Sequence, residues 1–163
     1  MLKNLNQLSY NVIEQLKSKN LKIGTAESCT GGMLAQYLTM HPGSSAAFNY
    51  GFITYSNNSK INLLNINKKD IDIFGAVSKE VAIAMAKNLL KNKNLDIAIS
   101  VTGIAGPEGG SNEKPVGLVH HALHTKNTLI HKQSIYNGNR EVIRQSTVET
   151  CLKLILEELK KNI

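Results

Sequence analysis

Three stretches of this chain combine residue types that could do chemistry. Thr25-Ala26-Glu27-Ser28-Cys29-Thr30-Gly31-Gly32 places hydroxyls, a carboxylate, a thiol and two glycines in one short turn. If the turn opens a helix, its unpaired N–H groups and dipole favour an anion, and Glu27, Ser28, Thr30, Gly31 and Gly32 become candidate ligand contacts. A tight turn with an ordinary helix cap reads equally well. The second stretch is Pro42-Gly43-Ser44-Ser45, followed by Tyr55, Ser56, Asn57 and Lys60. A serine attacks a carbonyl only if a base removes its proton, and a lysine is such a base only when burial keeps it neutral. Ser45 precedes a strand and Lys60 follows it, so the two meet only if the chain folds back. By residue type alone, Ser45 reads as a turn residue and Lys60 as a solvated helix residue.

The third stretch runs from Ser100-Val101-Thr102-Gly103-Ile104-Ala105-Gly106-Pro107 through Glu108-Gly109-Gly110 to Lys114-Pro115-Val116-Gly117. An apolar strand ends there in a long glycine-rich loop, and open α/β sheets bind ligands at that strand edge. N–H groups from Gly103 onward could hold an oxyanion or a phosphate. Long structureless loops are uncommon in compact domains, which favours function over plain connection. His120, His121, His124 and His131 have no carboxylate or cysteine cluster around them, so no metal site is expected. Cys29 would be activated at a helix N-terminus, but no base accompanies it.

The elements that must position these groups follow from periodicity. Apolar residues at helical spacing predict helices over 4–19, 33–40 and 139–161, a short one over 57–64, and one beginning at the cap Ser78 and running to Lys91. Strands are expected over 21–26, 48–55, 95–102, 116–125 and 128–136, the last two joined as a hairpin at Lys126-Asn127. Alternating helices and strands imply one three-layer α/β/α sandwich on a mixed, mostly parallel sheet, a single domain over 1–163 with no repeat and no linker.

The chain has 163 residues and is 42% hydrophobic, which suffices for one buried core without staples. No apolar run is long enough to cross a membrane, and residues 1–8 lack the apolar core of a signal peptide. Two distant cysteines, Cys29 and Cys151, read as reduced thiols, so a cytoplasmic location is expected. The net charge of +7 invites a nucleic-acid reading. Against it, the positive charge is nearly all lysine scattered among asparagines, only Arg140 and Arg144 are guanidinium groups, and 5% aromatics offer few stacking platforms.

Taken together and in order, the Thr25–Gly32, Pro42–Ser45, Gly51–Asn57, Gly75-Ala76-Val77-Ser78 and Thr102–Gly117 motifs closely resemble the CinA C-terminal domain family, the nicotinamide-mononucleotide deamidases. The resemblance covers the chain from about Leu8 to the last helix. It implies a metal-free and cofactor-free amidohydrolase that converts nicotinamide mononucleotide to nicotinate mononucleotide and ammonia, in pyridine nucleotide recycling. It further implies a serine–lysine pair, Ser45 as nucleophile and Lys60 as base, with Tyr55, Thr102 and Arg140 at the family's motif positions. Main-chain N–H groups near Ser45 or Gly103, with Thr102, would then hold the oxyanion, and the Glu27–Gly32 turn and Arg140 the phosphate and ribose. The same resemblance implies the stand-alone form of the domain and a homodimer or larger homo-oligomer. Two other classes stay open: an inactive nucleotide-binding regulatory module, and a basic DNA-associated competence protein.

Overall fold

The computed structural model describes residues 2–93 and 95–161. Five strands form one mixed sheet in the order β2-β1-β3-β4-β5. They are β1 (Ile23–Glu27), β2 (Phe48–Ile53), β3 (Ile97–Gly103), β4 (Leu118–Thr125) and β5 (Leu129–Ile135). β1 pairs in parallel with both β2 and β3, while β4 runs antiparallel between β3 and β5. The expected hairpin is the β4–β5 pair, and its turn is tied by the Thr125 hydroxyl, which accepts from the amides of Asn127 and Thr128.

Side chains alternate across a strand, so each strand feeds two layers. On one face Ile97, Ile99 and Val101 of β3 pack with α1 (Leu2–Ser18), α2 (Met33–Thr39) and α6 (Arg140–Leu159). On the other, Ala98 of β3 and Ala26 of β1 lie under Leu64, Ile71, Met85 and Leu89 of α3 (Asn57–Leu64), α4 (Lys68–Phe74) and α5 (Lys79–Lys93). Small residues on that face let α5 approach closely: the Ser100 hydroxyl donates to the Ala82 carbonyl at 2.6 Å. The result is the three-layer α/β/α arrangement.

Sequence periodicity left 65–77 without an element, yet α4 occupies 68–74, capped by the Asn67 side chain, which accepts from the Lys69 amide. The helix is short and buries only Ile71 while Ile73 and Phe74 face outward, so no apolar stripe announces it. Among the described residues no helix is long and apolar enough to cross a membrane.

Candidate active site

Because β1, β2 and β3 are parallel, their carboxyl ends share one edge of the sheet, and the chain leaves β1 and β2 for opposite faces. That edge carries a cleft of about 270 Å³. Each strand delivers part of it: Ser28 and Cys29 follow β1, Tyr55 and Lys60 follow β2, and Thr102 to Gly109 end β3 and begin the glycine-rich loop.

Glu27 and Ser28 point to opposite faces of the sheet, and this parity organises the site. The Glu27 carboxylate turns under α2 and accepts the amides of Gly32 (3.0 Å), Leu34 (3.0 Å) and Ala35 (2.8 Å). The cap residue Gly32 offers no side chain, so a carboxylate from the preceding strand satisfies the free N–H groups of α2. The anion expected from a ligand at this turn is therefore built into the protein. Glu27 is buried and shut away from the cleft, and Thr30, Gly31 and Gly32 do not line it either. This corrects the expectation that these four residues contact a ligand. Gly31 and Gly32 serve the turn itself through left-handed φ angles of 57° and 94°.

Ser28 lies on the opposite face, where α3 begins. A capping box between Ser56 and Ser59 starts α3, and one helical turn brings Lys60 inward as the largest fully buried side chain. Its amine lies 3.0 Å from Ser28 Oγ and donates to the Thr54 carbonyl at 2.7 Å. Lys60 is 1% exposed and Ser28 8% exposed. Burial lowers the Lys60 pKa from 10.5 to about 8, with the neighbouring Cys29 opposing the shift. Such an amine is neutral often enough near neutrality to accept a proton. With one N–H committed to the Thr54 carbonyl, the lone pair of the neutral form is free to face the Ser28 hydroxyl.

Ser45 does not join this group. It sits in a single 3₁₀ turn, Ser44–Ala46, before β2 and is exposed. Lys60 follows the far end of β2, so a six-residue strand, about 20 Å long, lies between them. The pairing of Ser45 with Lys60 is overturned by strand direction, and the hydroxyl that Lys60 meets is that of Ser28.

The other expected residues lie around this pair. Tyr55 is 57% exposed at the mouth, and its hydroxyl accepts from Arg140 Nη2 at 2.7 Å, so Lys60 is held by Thr54 instead of Tyr55. Arg140 Nη1 also donates to the Gly106 carbonyl at 2.9 Å, spanning the entrance between the β2 and β3 loops. Thr102 lines the cleft, but its hydroxyl donates to the Ala76 carbonyl at 2.7 Å, which uses its one hydrogen and removes it as an oxyanion donor. Gly103 lines the cleft as expected. Its main chain is packed so closely against β4 that an added Cβ would lie 2.7 Å from the Leu118 carbonyl oxygen. Burial pushes the Cys29 thiol up to about 12, which keeps it protonated beside Ser28.

Two further contributors are not among the expected site residues. Arg144, one helical turn beyond Arg140, donates to the Thr30 carbonyl at 2.6 Å and fastens the Ser28 turn to α6. Its spacing of four from Arg140 could have flagged it. Lys114 reaches the loop before α5, donating to the carbonyls of Phe74 (2.7 Å) and Val77 (2.8 Å). Elsewhere, His120 and His131 form a stacked pair with ring nitrogens 3.0 Å apart. Among the described residues no three His, Cys, Asp or Glu side chains cluster as metal ligands do.

A model of the family described as the CinA C-terminal domain matches residues 5–159. A CinA-like protein of Leptospira biflexa is 50% identical over 153 residues, covering 93% of this chain and 37% of that protein. A Clostridium botulinum relative named for competence-damage induction is 48% identical over 145 residues, covering 89% of this chain and 36% of that protein. This chain thus spans little more than a third of the curated relatives it matches. Among solved structures, the competence/damage inducible protein CihA of Agrobacterium tumefaciens superposes with a TM-score of 0.93 at 41% identity, covering 97% of this chain and 96% of that one. The competence damage-inducible protein A of Klebsiella pneumoniae gives 0.93 at 31% identity, covering 98% and 99%. With a family model matching nearly end to end and crystal structures superposing over the same span, this chain belongs to the CinA C-terminal domain family.

Proposed function

We propose that this domain hydrolyses the carboxamide of nicotinamide mononucleotide to nicotinate mononucleotide and ammonia, with Ser28 as nucleophile and Lys60 as its base. The observation that carries the reading is the 3.0 Å approach of a buried, pKa-lowered amine to a serine hydroxyl at the floor of a cleft. Neutral Lys60 takes the hydroxyl proton as Ser28 Oγ bonds to the carboxamide carbon, and the C=O electron pair moves onto oxygen. The Cys29 amide, on the cleft wall beside the nucleophile, donates to no acceptor on another residue among the described residues, so it can receive that oxyanion. The Lys60 ammonium returns its proton to the departing nitrogen, releasing ammonia and leaving an ester on Ser28. Water, deprotonated by the same amine, cleaves the ester and restores both groups.

Arg140 at the entrance suits the phosphate, since its fork can leave Tyr55 and Gly106 for a bidentate grip on an anion. Ala105, Gly106, Glu108 and Gly109 line the same region, and their amides donate to no protein acceptor among the described residues, which leaves them as further donors. The deciding experiment is ammonia release from nicotinamide mononucleotide, with free nicotinamide as control. The reading requires turnover of the nucleotide that Ser28→Ala abolishes. Ammonia release by Ser28→Ala at the wild-type rate would dismiss it.

A further inference from the structure

Phe74, the last residue of α4, and residues 75–77 after it form a strap that makes one wall of the cleft through Ala76 and Val77, and no regular structure holds 75–77. Its four successive carbonyls are instead each bound by a side chain. Lys114 Nζ donates to Phe74 (2.7 Å) and Val77 (2.8 Å), Ser78 Oγ to Gly75 (2.8 Å), and Thr102 Oγ1 to Ala76 (2.7 Å). Only Lys114 binds both ends. It belongs to the glycine-rich loop, whose residues Ile104 to Gly109 form the opposite wall.

The local sequence is built around this contact. Ser111 and Lys114 close their own turn, the Lys114 amide donating to Ser111 Oγ at 3.0 Å and the Ser111 amide to the Lys114 carbonyl at 2.9 Å. On the receiving side, Gly75 has a φ of 78°, and a Cβ there would lie 2.8 Å from Lys114 Nζ. The backbone angle favours glycine here, and the missing Cβ leaves the Lys114 amine room to reach both carbonyls. A neutral side chain of similar length has no set of three donors with which to bridge two carbonyls.

We propose that Lys114 is a positioning residue, an ammonium clasp that fixes the spacing between the two walls of the cleft and so sets its grip on the bound nucleotide. Lys114 does not line the cleft, so its effect passes through Ala76 and Val77. The inference rests on the amidase reading for its substrate but not for the clasp itself.

The test compares wild type, Lys114→Met, and Lys114→Cys before and after aminoethylation with 2-bromoethylamine, which rebuilds an ammonium of lysine length. Cys29 and Cys151 are buried and leave the new thiol as the reactive one. With nicotinamide mononucleotide, Lys114→Met raises KM about tenfold while kcat stays within about threefold and the pH midpoint is unmoved, because wall spacing is binding and Lys60 is untouched. Aminoethylation of the cysteine variant brings KM back to within about twofold of wild type. An unchanged KM in the methionine variant, or a shifted pH midpoint, overturns the clasp. Should wild type release no ammonia, the amidase reading falls and hydrogen exchange decides the clasp alone. Amides of residues 75–78 then exchange about tenfold faster in Lys114→Met, and unchanged protection overturns it.

Discussion

Lys60 Nζ and Ser28 Oγ, 32 positions apart in the chain, lie 3.0 Å apart beneath the carboxyl edge of the sheet, while Ser45, only fifteen positions from Lys60, is held at the opposite edge. The pair is brought together by two facts of strand geometry. Parallel β1 and β2 end side by side, and Ser28 has the parity that faces α3.

The first prediction separates the two serines. Ser28→Ala lowers kcat for nicotinamide mononucleotide at least about 10³-fold while leaving nucleotide binding intact, because only the attacking oxygen is removed. Ser45→Ala stays within about twofold of wild type, since an exposed turn residue one strand away touches nothing in the cleft. Steady-state ammonia release, paired with calorimetric binding, reads both. A dead Ser45→Ala with an active Ser28→Ala reverses the assignment.

A second prediction follows from the direction of the Lys60 shift. The base works only when neutral, so activity is fully present above the lowered pKa of about 8 and is lost as pH falls through it. At pH 7 about one amine in ten is neutral, and kcat/KM falls about tenfold per unit below that. Lys60→Arg, whose guanidinium keeps its proton across the working range, is inactive at every pH up to 10. A kcat/KM profile flat between pH 6 and 9 excludes Lys60 as the base.

Much of this was legible beforehand. The strands, the hairpin, the long terminal helices and the location of the cleft all follow from periodicity and from the rule that parallel strands bind ligands at their carboxyl ends. The same rule, pressed harder, excludes Ser45: a residue before β2 stands at the amino edge, and Lys60 after β2 at the other. Alternation along Thr25-Ala26-Glu27-Ser28 likewise puts Glu27 and Ser28 on opposite faces, one for the helix and one for the cleft. What no pattern reveals is which carbonyl consumes a donor. Thr102 looks free to hold an oxyanion until Ala76 takes its hydrogen, and Lys114 looks like a solvated loop lysine until Phe74 and Val77 take two of its own.

Glu27 supplies a third prediction, this one on stability. Its carboxylate satisfies three amides at the start of α2, a helix with no cap of its own. Glu27→Gln keeps the volume but turns one acceptor oxygen into a donor facing N–H groups, leaving buried donors unpaired. A loss of about 3–5 kcal/mol is expected, read from the urea midpoint. Turnover falls with it, because the turn that α2 anchors carries Ser28. Full stability in Glu27→Gln contradicts the capping role.

A last prediction concerns acid. His121 is fully buried in β4; its Nδ1 lies 3.2 Å from the Lys132 carbonyl and its Nε2 3.3 Å from the Tyr136 hydroxyl. A carbonyl only accepts, so the neutral ring carries its proton on Nδ1 and leaves Nε2 without one. Burial lowers the pKa from 6.5 to about 4, and the positive charge of Lys132 adds to it against the carbonyl's pull. The unfolded chain takes up the proton first, so stability is fully present above 6.5 and drains as pH falls toward 4. Between pH 7 and 4.5 this one ring costs about 2–3 kcal/mol. His121→Phe, which fills the same space against Tyr136, therefore narrows the difference in unfolding free energy between those two pH values. An unchanged difference in the variant assigns the acid sensitivity to other groups.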